Sequence, residues 1–175
     1  MLILSFLLSY AGTMGQSIHL CEGDSLQEYW VIPSDAANAM QWDFIVGSGA
    51  QFIDAQNTAQ TRINFPLAGT YVLQFSETNQ DGCIGAVILD IVVHSLPAPS
   101  FSYEKICVGQ PISFQNTTTA SSALELIRWK LNDLTDTSYH FVSTFLQEGL
   151  YPISLYVEDQ WGCASSYYEV LEINS

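Results

Sequence analysis

Four cysteines, three histidines and scattered acids carry whatever chemistry this 175-residue sequence can do. His19, His94 and His140 stand far apart, and none has the short spacing of a metal-binding pair. No Gly-x-Ser-x-Gly elbow occurs. Gly47-Ser48-Gly49 lacks the lysine and the strand-to-helix setting of a phosphate loop. No nucleophile, base and orienting group form a recognisable set, so the residues point away from an enzyme. Acids gather at Asp133 and Asp136, at Glu158 and Asp159, and at Glu77 and Asp81. Loop carboxylates are what a hard cation takes, which makes Asp133, Asp136, Glu158 and Asp159 candidate Ca2+ ligands. Their spacing matches no known loop signature, and solvated turn acids are the plainer reading. No other cofactor is expected. Trp161 and the Tyr167-Tyr168 pair are the candidate partner-binding residues. A tryptophan at a hairpin tip makes a good anchor, and adjacent strand residues face opposite sides, so one tyrosine must be exposed.

The charge balance narrows the partners. Eighteen acidic residues stand against four basic ones, for a net charge of −14. Phosphate recognition needs clustered Lys and Arg, so nucleic acid is not an expected partner. The first residues resemble an export leader. Leu2, Ile3, Leu4, Phe6, Leu7 and Leu8 form a short apolar run, and Thr13 and Gly15 suit cleavage before Gln16. The run is too short to span a bilayer, no other segment is long enough, and no Lys or Arg precedes it.

The elements that must position these residues are repeated. Cys21-Glu22-Gly23 matches Cys107-Val108-Gly109, and Trp42-Asp43-Phe44 matches Trp129-Lys130-Leu131. Gly69-Thr70-Tyr71 matches Gly149-Leu150-Tyr151, and Asp81-Gly82-Cys83 matches Trp161-Gly162-Cys163. The last two blocks share an offset of 80 residues, while the tryptophans differ by 87. Cys-x-Gly is read as opening a strand, each Trp as lying in a central strand, and Gly-x-Tyr as starting another. Short alternating strands are expected over 26–32, 40–46, 51–54, 61–65, 70–77 and 85–93. The second set falls at 101–104, 112–115, 126–131, 138–143, 150–158 and 166–173. The fold class is therefore all-β, with two tandem immunoglobulin-like β-sandwiches. The expected divisions are a leader over 1–15 and domains over 16–95 and 96–175. Pro97 and Pro99 stiffen the join.

Four cysteines in an exported chain, two per repeat, indicate disulfides. Economy favours Cys21–Cys83 and Cys107–Cys163. The members of each pair can fall at opposite ends of a sandwich, which leaves Cys21–Cys163 as the alternative.

At these blocks the chain resembles the polycystic-kidney-disease (PKD) and PKD-like repeats of Bacteroidetes surface and secreted proteins. The resemblance covers residues 17–175. The family's Gly-Asp-Gly after the Trp-Asp-Phe triplet is replaced here by Ile45-Val46-Gly47. The resemblance implies non-catalytic spacers and binding modules, found in adhesins, gliding proteins and type IX secretion. It implies a protein partner in the cell envelope or an outer-membrane complex, with glycan binding as the alternative. The expected location is the periplasm, the outer membrane or the cell surface. Asp24-Ser25-Leu26 is similar to the O-glycosylation signal of the same bacteria, which makes Ser25 a candidate acceptor.

Overall fold

The computed structural model describes residues 17–24, 26–104 and 107–174. The expected leader and Ser25 lie outside the described residues. The chain divides into two compact units between Ser95 and Leu96. Among the described residues every helix or strand is a strand.

The first unit holds β1 (Ser17–Cys21), β2 (Gln27–Trp30), β3 (Ala39–Val46), β4 (Gln51–Phe52), β5 (Gln60–Asn64), β6 (Gly69–Thr78) and β7 (Ile84–His94). They form sheets ordered β1-β7-β6-β3 and β2-β5-β4. The second unit holds β8 (Phe101–Ser102), β9 (Pro111–Asn116), β10 (Leu124–Leu131), β11 (Leu134–Asp136), β12 (His140–Thr144), β13 (Gly149–Asp159) and β14 (Ala164–Ile173). Its sheets run β11-β10-β13-β14 and β12-β9-β8.

Each sandwich closes by alternation. Trp42, Leu73, Phe75, Leu89 and Ile91 from one sheet meet Tyr29, Ile63 and Phe65 from the other. Trp129, Leu131, Ile153, Leu155 and Leu171 meet Ile112, Phe114 and Phe141 in the same way. Both tryptophans are fully buried, so each indole N–H needs an acceptor. Trp42 Nε1 donates to the carbonyl of Thr58 at 2.9 Å, and Trp129 Nε1 to that of Ser138 at 3.0 Å. The tyrosine after each Gly-x ties down the preceding loop. Tyr71 Oη donates to Leu67 O at 2.8 Å, and Tyr151 Oη to Gln147 O at 3.1 Å. This is the tyrosine-corner device of immunoglobulin-like sandwiches.

The last hairpin of each unit is built alike. Asn79 Oδ1 accepts from the amides of Asp81 and Cys83, and Asp159 Oδ1 accepts from those of Trp161 and Cys163. Gly82 and Gly162 sit at φ +83° and +80°, where a side chain is disfavoured.

Three expectations about elements change. Cys21 ends a strand rather than opening one. β1 runs parallel to β7, with Cys21 opposite His94, and the chain turns at Glu22-Gly23. That strand was missed because its few residues lie between the leader and the first matched block. In the second unit the corresponding contact is a single parallel bridge, Cys107 to Asn174. β11 was also missed, because it is short and pairs with β10. Its counterpart β4 joins the opposite sheet by pairing with β5.

One carboxylate fastens a loop of the first unit. Glu77 accepts from Asn38 Nδ2 at 2.7 Å, from Ser34 Oγ at 2.8 Å and from the Ser34 amide at 2.9 Å. Burial raises its pKa, but the bonds from Asn38, Ser34 and the Asp35 amide outweigh that and hold it below the ordinary range. A depressed carboxylate stabilises fully above its unfolded value, about 4.3, and loses that stabilisation as pH falls through its folded value. Glu77→Gln is therefore expected to cost about 1 kcal/mol at neutral pH. The gap from wild type should close below about pH 4, as read by urea unfolding across pH. Trp129→Ala should cost about 3–5 kcal/mol in the same assay at neutral pH.

Candidate interaction surface

The strands that seal the second core present their alternate residues to solvent. On β10, Trp129 and Leu131 point inward, so Arg128 and Lys130 point out and are exposed. On β13 the inward set is Ile153, Leu155 and Val157, which leaves Ser154, Tyr156 and Glu158 outside. On β14 the inward Leu171 and Ile173 leave Ser166, Tyr168 and Val170 outside.

Register assembles these residues into two rows. Arg128 is paired with Tyr156 and Tyr156 with Ser166; Lys130 is paired with Ser154 and Ser154 with Tyr168. Tyr156 and Tyr168 are diagonal neighbours, within reach of aromatic side chains. The guanidinium carbon of Arg128 lies 5.6 Å from the Tyr156 ring centroid, a cation–π contact. Tyr156 Oη donates to Glu158 at 2.7 Å. That bond, then burial, then the charge of Glu158 raise the phenol's pKa, against the opposing effect of Arg128. The ring is thereby held neutral and oriented beside the cations.

This is where the chain's scarce positive charge gathers. Its four basic residues are Arg62, Lys105, Arg128 and Lys130. Arg62 is committed to Asp54, at 2.7 Å. Arg128 and Lys130 make no ion pair among the described residues.

The first unit supplies an internal comparison. Its corresponding rows are Gln41–Ser76–Ala86 and Asp43–Gln74–Ile88. The same fold thus stands with no cation or aromatic at those positions. Arg128, Lys130, Tyr156 and Tyr168 are not required by the sandwich.

The partner-binding residues expected from sequence do not form one line. Tyr168 is 63% exposed on the outer face. Tyr167 is 39% exposed and packs edge-on against Phe101, with ring centroids 5.4 Å apart. Trp161 is 41% exposed at the tip of the β13–β14 turn. Arg128, Lys130 and Tyr156 were missed, because only strand register brings them beside Tyr168.

The candidate Ca2+ ligands do not converge. Asp159 is buried with Oδ1 taken by two backbone amides and Oδ2 by Ser122 Oγ, so it organises a turn. Glu158 faces the other side of the strand and accepts from Tyr156. Asp136 accepts from the amide of Ser138, and its bonds from Ser138 hold its pKa down. Asp133 lies in the β10–β11 turn, at the opposite end of the sheet from Glu158 and Asp159. Among the described residues no three His, Cys, Asp or Glu side chains are placed to hold a metal ion.

The histidines are not all isolated. β1 beside β7 brings His19 Nδ1 to 2.8 Å from His94 Nε2, with the rings stacked. Sequence separation hid this pair, which brings two ring nitrogens together. His140 lies edge-on to Tyr139.

The cysteines also depart from expectation. Cys21 and Cys163 are disulfide-bonded, whereas Cys83 and Cys107 are free and exposed. Pairing within a repeat is ruled out by strand length. Cys21 lies opposite His94, eleven residues along the chain from Cys83 at the start of β7. That is about 36 Å of extended chain, against a Cα limit of about 7 Å for a bridge. Cys107 lies opposite Asn174, and Cys163 immediately precedes β14, so the second unit repeats the obstacle.

No family model matches the sequence, and no curated protein matches it. Solved structures do. The PKD1 domain of the Vibrio cholerae metalloprotease PrtV is 20% identical over 46% of this chain and 99% of that one, with a TM-score of 0.42. The fibronectin(III)-like modules of Clostridium thermocellum CbhA are 16% identical over 90% of this chain and 88% of that one, with a TM-score of 0.42. Drosophila OTK, extracellular domains 3–5, is 12% identical over 91% of this chain and 60% of that one, with a TM-score of 0.53.

The fold is that of immunoglobulin-like β-sandwiches. At these identities the likeness is one of fold alone. No helix among the described residues is long and apolar enough to cross a membrane.

Alkylation of the unfolded, unreduced protein followed by peptide mapping should label Cys83 and Cys107. Cys21 and Cys163 should take label only after reduction.

Proposed function

We propose that the chain is an exported, non-catalytic interaction module that holds an acidic segment of a protein partner on the outer face of its second unit. The observation that supports this reading is the gathering of Arg128, Lys130, Tyr156 and Tyr168 in two adjacent rows on one sheet face. The same rows of the first unit lack those residue types. Aromatic and arginine side chains are the residues that most often carry binding energy at protein interfaces. Two cations inside a strongly acidic chain attract acidic surface locally and repel it elsewhere, which fixes where a partner lands. The cell envelope is the proposed setting, with the chain an accessory subunit of a type IX secretion, gliding or adhesion assembly.

A second reading is favoured by the exposure of Tyr168. A flat face with a tyrosine ring, two cations and the Ser154 and Ser166 hydroxyls also suits a glycan bearing carboxylates, which would make the chain an adhesion module.

Cross-linking in native envelope and identification of the captured species separate the two. Lys130→Glu and Tyr168→Ala should each lower capture of the partner at least tenfold, and raised salt should weaken binding by wild type. Asp43→Ala, at the matching place in the first unit, should leave it unchanged. Capture that survives both variants refutes the assignment of this face. A captured polysaccharide released by the same variants selects the adhesion reading.

A further inference from the structure

The two units close the same end of the sandwich differently. In the first unit β3 and β4 belong to opposite sheets, so the segment from Gly47 to Ala50 crosses the end between them. It lies directly on the tyrosine of the Gly-x-Tyr block. A Cβ on Gly47 would stand 2.5 Å from Tyr71 Cδ1 and 2.9 Å from Thr70 O. One on Gly49 would stand 3.2 Å from Leu67 Cδ1. Only a backbone without side chains comes so close. Ala50 then packs against the core, and Tyr71 is buried.

In the second unit β10 and β11 are neighbours in one sheet, joined by the two-residue turn Asn132-Asp133. Asn132 sits at φ +51°, the left-handed conformation that so tight a hairpin turn requires. The chain passes to the other sheet only after β11, where Ser138 takes the indole bond of Trp129. The β10–β11 connection therefore does not cross the end beside Tyr151. Tyr71 and Tyr151 are the same device, each bonded to the carbonyl four residues back, and they differ in what covers them. Tyr151 is only half-buried and lines a cleft of about 480 Å³. That size is within the range of clefts that hold ligands. Buried Leu131 and Phe145 also line it, with Leu134 and Leu146, which are 59% and 80% exposed.

We infer that this cleft takes a peptide segment of a partner protein, laid across Tyr151 as Gly47–Ala50 is laid across Tyr71. Glycine or alanine would sit over the ring, aliphatic side chains against Leu134 and Leu146, and a basic residue beside Asp133. Three observations choose this occupant. The first unit shows the matching ring covered by polypeptide backbone with small residues. The remaining lining side chains, Asn132, Ser143, Thr144 and Gln147, are uncharged donors and acceptors. They suit the amides of a crossing chain, which need partners, and offer nothing to a hydrocarbon. Among the residues lining the cleft only Asp133 is charged, so a cation is drawn in and an acidic segment repelled. The cleft lies at the end of the sandwich rather than on its outer face, and it asks for the opposite charge. It does not depend on the reading given above for Arg128 and Lys130. One short segment buries less than the roughly 1,200 Å² of a standard interface, so the binding is weak.

The test uses the whole chain as bait for a phage-displayed library of short random peptides. Selected peptides should carry glycine or alanine flanked by aliphatic residues, with Lys or Arg nearby and no acid. Added as free peptides, they should shift the amide resonances of Asn132, Leu146 and Tyr151. Leu134→Asp and Leu146→Asp should each weaken binding at least tenfold, with melting unchanged because both side chains are exposed. Asp133→Asn should weaken it and remove its dependence on salt. Lys130→Glu, which disrupts the outer face, should not weaken it. A library that yields no binder overturns the inference. So do peptides that bind both aspartate variants as well as they bind wild type. Acidic peptides released by Lys130→Glu would belong to the outer face and would also overturn it, as would a cleft that takes up an uncharged detergent and no peptide.

Discussion

Trp129 has no exposed surface, yet its indole carries a polar hydrogen that would be costly to bury without an acceptor. The carbonyl of Ser138, on the segment between β11 and β12, supplies it. One side chain thus joins two demands. Its ring fills the space between the sheets against Phe114 and Phe141, and its N–H fixes the chain that leads to the opposite sheet. Trp42 does the same with Thr58 in the first unit. Once the tryptophan is set inward, the pleat leaves its neighbours no choice. Arg128 and Lys130 are outside because Trp129 is inside. The proposed interaction surface therefore follows from core packing, and its chemistry lies at positions the core does not use.

The two units make that separation visible. Between them the buried devices are kept: the tryptophan and its carbonyl, the tyrosine corner, and the side-chain oxygen that folds the last turn. Asn79 and Asp159 are chemically different but each provides one oxygen to two amides. Burying the charge of Asp159 is tolerable because these amides and the Ser122 hydroxyl solvate it. Outer positions follow no such rule. Gln41 and Asp43 occupy the rows that Arg128 and Lys130 occupy, and Ile88 stands where Tyr168 does.

What the sequence discloses follows the same division. Alternating apolar residues, the two tryptophans and the Gly-x-Tyr blocks make both sandwiches legible, because each depends on residues close together in the chain. Register between strands is not legible in that way. Arg128, Tyr156 and Tyr168 meet only when three strands are paired correctly, and a slip of one residue would turn each to the other face. The histidine pair was hidden for the same reason, since β1 and β7 lie at opposite ends of their unit's sequence. The cysteines misled because a repeated residue invites pairing within the repeat. In fact the two cysteines of a repeat lie beside opposite ends of one long strand, β7 or β14, and strand length separates them. The acids near Asp159 looked like a cation site because sequence shows carboxylates and not the backbone amides that use them.

The last long strand of each unit shows how far that freedom goes. A sandwich needs inward residues at Leu89, Ile91 and Val93, and it is indifferent to what stands outside at Ile84, Ala86 and Ile88. In the second unit the equivalent outer residues are Ala164, Ser166 and Tyr168, and the same strand carries Glu169, which accepts from Tyr103. The core fixes the pleat, and the pleat leaves the outer chemistry of each unit to be set on its own terms.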